Sequence, residues 1–103
     1  MKILIADDEP LARERLVRLL EALPNYQLLA EQASNGQQAL DLCRQLQPDI
    51  LLLDIRMPVI DGLQVAQRLS TLEQAPAVIF CTAHDEIALD AFQVNAIGYL
   101  VKP

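Results

Sequence analysis

Histidine and cysteine are scarce in this chain, and the scarcity closes off several kinds of chemistry. There is one histidine, His84, and there are two cysteines, Cys43 and Cys81, with no metal-ligand spacing among them. Cys43 sits in a helical apolar pattern and Cys81 in a strand-like one, so both are expected to be buried, reduced thiols. Basic residues are also few, 8 against 14 acidic, for a net charge of −6. A surface of that sign repels a phosphate backbone, which argues against direct nucleic-acid contact by this segment. No apolar run approaches the roughly 18 residues of a membrane span. Met1-Lys2-Ile3-Leu4 leads through a short apolar run straight into acids, without the longer core and small-residue cleavage site of a secretory signal, so the expected location is the cytoplasm. Repeats, low-complexity stretches and linkers are absent, and 103 residues suit one domain.

What the chain does have is a series of short apolar runs, alternating with longer segments of helical period. Ile3 to Ala6 reads as a strand. Pro10 suits a first helical turn, with Asp8 and Glu9 near its positive end. Ala12, Leu16, Leu19, Leu20 and Leu23 form one predicted apolar stripe, with Arg13, Glu14, Arg18 and Glu21 outside it, until Pro24-Asn25 break the helix. Tyr26 to Glu31 is a second, less hydrophobic strand suited to an edge. Ser34-Asn35-Gly36 reads as a turn, and Gln37 to Gln47 as a helix with Ala39, Leu40, Cys43 and Leu46 on one face. Ile50 to Leu53 is the most apolar strand, hence central and buried on both faces. After a loop from Arg56 to Gly62, Leu63 to Leu72 reads as a helix with Leu63, Ala66 and Leu69 inward. Ala77 to Cys81 is a fourth strand, Glu86 to Val94 a fourth helix that Asp85 could cap, and Ile97 to Val101 a fifth strand. Five strands alternating with four helices predict an α/β fold, a parallel sheet with helices on both faces.

In an open sheet of that kind the site lies beyond the carboxyl ends of the strands. Asp7 and Asp8 follow the first strand, Asp54 the third, Thr82 the fourth and Lys102 the fifth. Acids at strand ends converge only if the strands run parallel. Two like charges about 4 Å apart cost on the order of 4 kcal/mol at an effective dielectric of 20, so such a cluster gains strongly from a cation. Mg²⁺ is small, hard and octahedral, and takes one or two carboxylates plus water and phosphate oxygens. Asp8 and Asp54 could ligate it directly, with Asp7 acting through water. A carboxylate is also a nucleophile toward phosphorus, and a lysine such as Lys102 neutralises phosphoryl oxygens. The Thr82 hydroxyl can donate to such an oxygen, and the small Ala83 beside it leaves room. Taken singly, Thr82 reads as a loop or cap hydroxyl and Tyr99 as a half-buried strand aromatic; the joint register gives them more.

Asp7-Asp8, Asp54, Met57-Pro58, Asp61-Gly62, Thr82-Ala83, and Tyr99 with Lys102-Pro103 together carry a specific resemblance. Along essentially its whole length the chain resembles the receiver domain of two-component response regulators. Asp7-Asp8-Glu9-Pro10-Leu11-Ala12-Arg13, Asp54-Ile55-Arg56-Met57-Pro58 and Cys81-Thr82-Ala83-His84-Asp85 narrow the likeness to regulators of the alginate-regulator type, whose effector is a LytTR DNA-binding domain. The resemblance implies a flavodoxin-like, doubly wound five-stranded parallel sheet of order 2-1-3-4-5. It implies that residues 1–103 are a receiver domain without its closing fifth helix and without the effector domain. An apolar patch is then expected over Ile97 to Val101, with self-association, a homodimer included, or marginal stability as the consequence.

The resemblance further implies that a histidine kinase, or a small phosphodonor, transfers a phosphoryl group to Asp54. Asp7, Asp8, Asp54 and the backbone carbonyl of Arg56 would hold Mg²⁺, with Mn²⁺ as a substitute. Lys102 would pair with Asp54 and then with its phosphoryl group, aimed by a cis bond to Pro103. Thr82 would move toward that group and Tyr99 would turn inward behind it, reshaping the face of the fourth helix and fifth strand. Arg56 and His84 would tune hydrolysis of the acyl phosphate. The domain would be a bacterial regulatory module rather than an enzyme, acting on transcription through its own DNA-binding domain. A phosphatase of the haloacid dehalogenase kind wants Asp-x-Asp, and Asp54-Ile55-Arg56 lacks the second acid. A flavodoxin needs a hydroxyl- and glycine-rich phosphate loop where this chain has Asp7-Asp8-Glu9. A scaffold that is never phosphorylated remains the alternative, and the intact acid set argues against it.

Overall fold

Side chains alternate across a strand, and here both sets are apolar. Leu4, Ala6, Leu51 and Leu53 join one buried cluster, while Ile3, Ile5 and Leu52 join another. The strands that carry them, β1 (Lys2–Ala6) and β3 (Ile50–Asp54), therefore need cover on both faces. The structure is a computed structural model that describes residues 1–82 and 98–101, with side chains as far as Cys81. The remaining elements are α1 (Pro10–Glu21), β2 (Gln27–Ala33), α2 (Gly36–Leu46), α3 (Gly62–Leu69), β4 (Ala77–Thr82) and β5 (Gly98–Val101). Every pairing is parallel, in the order β2-β1-β3-β4-β5, the doubly wound order expected. The predicted helix from Glu86 to Val94 lies outside the described residues. So does the patch expected over Ile97 to Val101, for want of described side chains.

The two faces are covered differently. On one, Leu4, Leu51, Leu53 and Phe80 pack with Ala39, Leu40 and Cys43 of α2 and with Val65, Ala66 and Leu69 of α3. On the other, Ile3, Ile5, Leu52 and Cys81 pack with Leu16, Val17 and Leu20 of α1. Each fully buried Leu, Ile or Phe contributes about 1.5–3 kcal/mol relative to exposure, so the sheet is anchored from both sides. Cys43 and Cys81 are both buried, as expected.

Several local expectations are corrected. Leu19 and Leu23 are exposed, at 64% and 42%, rather than inward. At about 100° per residue Leu19 falls on the flank of the set that does face the sheet, Ala12, Leu16, Val17 and Leu20, and Leu23 lies past the end of α1. β2 runs on to Ala33, which pairs with Ala6. The predicted turn at Asn35-Gly36 is a helix start: Asn35 Oδ1 accepts the Gln38 N–H at 2.9 Å, and α2 opens at Gly36. α3 ends at Leu69, short of Leu72. Ser70 Oγ and Thr71 Oγ1 donate to the carbonyls of Gln67 and Arg68 at 2.6 and 2.8 Å, which competes with the helical ladder. Val65, left out of the predicted inward set, is fully buried, while Leu63 is half-buried.

Candidate functional site

Register places the acids. Ala6 pairs with Leu53, so one step further Asp7 comes level with Asp54. Asp54 pairs with Cys81, which sets Thr82, the last residue of β4, one position beyond it. Asp7 and Asp54 are buried, at 1% and 6% exposure, while Asp8 is exposed. One carboxylate oxygen from each of Asp7, Asp8 and Asp54 lies within 4.8 Å of the others. The three acids are thus brought together at one edge of the sheet, two inside and one at the mouth.

The backbone around them is fixed on several sides. Asp7 donates its N–H to the Ala33 carbonyl at 2.9 Å, which ties the end of β1 to β2. Asp7 Oδ1 accepts the Glu9 N–H at 2.9 Å, and the Asp7 carbonyl accepts from Arg13 Nη1 at 2.6 Å. Pro10 then opens α1, where its missing N–H costs nothing. Beyond Asp54, the Gly62 N–H donates to the Ile55 carbonyl at 2.6 Å. A Cβ on Gly62 would overlap the Asp54 carbonyl oxygen, so α3 can start this close to Asp54 only with glycine there. Asp61 caps that helix, its Oδ1 accepting the Gln64 N–H at 2.9 Å. Buried Met57 and Ile60 hold the intervening loop against the core. Arg56, two residues after Asp54, is exposed.

Tyr99 is the second residue of β5, at the register of Phe80. Lys102, His84 and the Lys102-Pro103 bond lie outside the described residues. Three contacts at the site are not legible in the sequence, although Asp61-Gly62 is part of the motif. Gly36 and Gly62 act through close backbone approaches, and Arg13, set down as a solvent-side residue, hydrogen-bonds the Asp7 carbonyl. The available signal for Arg13 was its place one turn beyond Glu9, next to the inward Ala12.

The donor set suits a hard divalent cation. It is all oxygen, three carboxyl groups each offer an atom within 4.8 Å of the others, and two of them are buried, where a cation offsets the cost of an ionised carboxylate. The cavity of about 290 Å³ lined by Cys43, Arg44, Gln47, Leu72, Glu73 and Gln74 plays no part in this site. Its residues precede β3 and β4, at the opposite end of the strands.

Comparison with known proteins agrees with this geometry. Residues 3–103 match the family model of the response regulator receiver domain. The chain is 67% identical over 103 residues to the positive alginate biosynthesis regulatory protein of Pseudomonas aeruginosa, covering 100% of this chain and 42% of that protein. It is 44% identical over 103 residues to the sensory transduction protein LytT of Enterococcus faecalis, again covering 100% of this chain and 42% of that protein. The crystal structure of the response regulatory domain of mrkE from Klebsiella pneumoniae superposes with a TM-score of 0.90 at 32% identity, covering 100% of this chain and 84% of that one. A LuxR-family two-component response regulator from Aurantimonas gives 0.89 at 32% identity, covering 98% and 73%. The chain therefore spans less than half the length of the alginate and LytT regulatory proteins it matches.

Proposed function

This chain belongs to the response regulator receiver family, and from that membership we propose that Asp54 accepts a phosphoryl group from a partner histidine kinase. The observation that carries the reading is the convergence of Asp7, Asp8 and Asp54 at the carboxyl ends of β1 and β3, with Asp54 buried beside Asp7 and the exposed Asp8 at the mouth of the acidic pocket. A carboxylate oxygen of Asp54 attacks phosphorus. The bond from phosphorus to the donor imidazole nitrogen breaks, the electron pair stays on that nitrogen, and the imidazole takes up a proton from solvent.

Asp8 and Asp54 would hold Mg²⁺ or Mn²⁺ directly, with Asp7 and the Arg56 carbonyl completing the set. When bound, the ion neutralises charge on the phosphoryl oxygens. Asp7, locked through its amide, its carbonyl and one carboxylate oxygen, keeps its place while Asp54 changes charge. Lys102 pairs with Asp54 and then with the phosphoryl group, Thr82 donates its hydroxyl to it, and Tyr99 follows Thr82 inward. Arg56 and His84, two residues after Asp54 and Thr82 in the chain, set the lifetime of the acyl phosphate. The domain promotes only its own phosphorylation and dephosphorylation, so it is a switch rather than an enzyme. Residues 1–103 are the receiver portion of a longer cytoplasmic regulator. Its output is transcriptional, through a LytTR-type DNA-binding domain, in keeping with relatives named as regulatory proteins.

Intact-mass measurement after treatment with acetyl phosphate and Mg²⁺ tests the reading. One phosphoryl adduct is expected, absent in Asp54→Asn and absent with chelator. A folded wild-type chain that gains no adduct, or an adduct that survives in Asp54→Asn, overturns it.

A further inference from the structure

Arg13 is half-buried near the start of α1 and reaches two acceptors on different parts of the chain. Its Nη1 donates to the Asp7 carbonyl at 2.6 Å and its Nε to Gln32 Oε1, on β2, at 3.1 Å. The guanidinium is planar and rigid, so two bonds from one fork fix both its place and its orientation. The carbonyl it holds belongs to the peptide unit that joins Asp7 to Asp8. That plane sets the direction in which the exposed Asp8 side chain leaves the backbone.

We propose that Arg13 is a positioning residue for the acidic pocket: braced against Gln32, it holds the Asp7–Asp8 peptide so that Asp8 faces Asp54. This rests on the reading that the pocket takes a divalent cation. Position and charge predict opposite signs. A nearby positive charge on its own repels Mg²⁺, so deleting it tightens binding. Losing a brace behind a ligand weakens binding, commonly tenfold or more.

Mg²⁺ is titrated by calorimetry into the wild-type chain, Arg13→Gln, Arg13→Lys and Gln32→Ala, with a urea unfolding curve for each. Arg13→Gln is expected to weaken Mg²⁺ binding by roughly tenfold. Arg13→Lys keeps the charge and can still donate to Asp7, but cannot brace against Gln32, so it falls between the two. Gln32→Ala weakens binding several-fold with a urea midpoint close to wild type, a split that a merely structural role does not produce. The yield of phosphoryl adduct in Arg13→Gln falls at limiting Mg²⁺ and returns at saturation. An Mg²⁺ affinity in Arg13→Gln equal to or tighter than wild type overturns the proposal. Should Arg13→Gln not fold, wild-type affinity in both Arg13→Lys and Gln32→Ala does the same. A wild-type chain that takes no Mg²⁺ overturns the metal reading and this inference with it, whereas binding that is equal in all variants overturns this inference alone.

Discussion

Gly36 lies against Ile60 so closely that a side-chain carbon on it would overlap the Ile60 carbonyl oxygen. The contact joins the first turn of α2 to the loop that follows Asp54, and the Gly36 N–H also donates to the Pro58 carbonyl at 3.4 Å. The obstacle is backbone, which cannot swing aside as a side-chain tip can. Gly36→Ala is therefore expected to destabilise the chain by about 1–3 kcal/mol, read from urea unfolding. In an unobstructed helix the same change gains up to about 1 kcal/mol, so the sign of the result decides whether the contact is as close as described.

Val59 sits at φ 72° in the same loop, with the Ile60 N–H closing back on the Pro58 carbonyl at 2.9 Å. Left-handed backbone costs a non-glycine residue about 1–2 kcal/mol, and a β-branched residue tolerates it poorly. The side chain is 78% exposed, so its removal forfeits little packing. Val59→Asn should raise stability by about 1 kcal/mol in chemical denaturation, because asparagine accepts this conformation. A loss of stability would show that the turn is not strained.

Burial pushes the Cys43 thiol up from 9.0 to about 12. Below 9.0 the folded and unfolded chains both keep the proton, and the favourable contribution is fully present. Above it the unfolded chain releases a proton that the folded chain retains, so stability falls as pH rises from 9.0 toward about 12. The slope from this one group approaches about 1.4 kcal/mol per pH unit. Comparison with Cys43→Ala removes the background from lysines and tyrosines. The stability difference between wild type and variant should shrink across that window, and a constant difference would refute the assignment.

Asp8 is exposed while Asp7 and Asp54 are buried, which separates the metal-binding part proposed for it from any role in folding. Asp8→Ala should leave the unfolding temperature in chelator near that of wild type. Added Mg²⁺ should stabilise wild type by about 2.7 kcal/mol at a hundredfold excess over its dissociation constant, and Asp8→Ala far less. Equal stabilisation of both proteins would remove Asp8 from the ligand set.

Asp7 and Asp54 could be read from the sequence because each ends an abrupt apolar run, and a parallel sheet then leaves them one place to go. Leu19 could not. Helical spacing admits it to the stripe, and only the position of the sheet relative to α1 shows that it lies on the flank. Asn35 and Asp61 carried the composition of helix caps, but that composition also suits a turn, and the choice depends on where the next N–H groups point. The contacts of Arg13, Gly36 and Gly62 are beyond the sequence for a different reason. Their partners at Gln32, Ile60 and Asp54 are distant in sequence, and the contacts exist only once the strands have paired. The same pairing brings Thr82 to the end of β4 and Tyr99 into β5.

β1 pairs directly with β3, although β2, α1 and α2 come between them in the chain. Strand side chains alternate with a period of two, so a slip of β3 by one residue would turn Leu53 toward the place of Asp54 and bury the acid in the core. Such a slip would set a carboxylate among the apolar side chains packed with α2 and α3, and the misaligned sheet would not persist. The pocket thus inspects the alignment of the sheet that builds it. A misaligned copy does not bring Asp7, Asp8 and Asp54 together, so faulty pairing of the strands and loss of the pocket are one event.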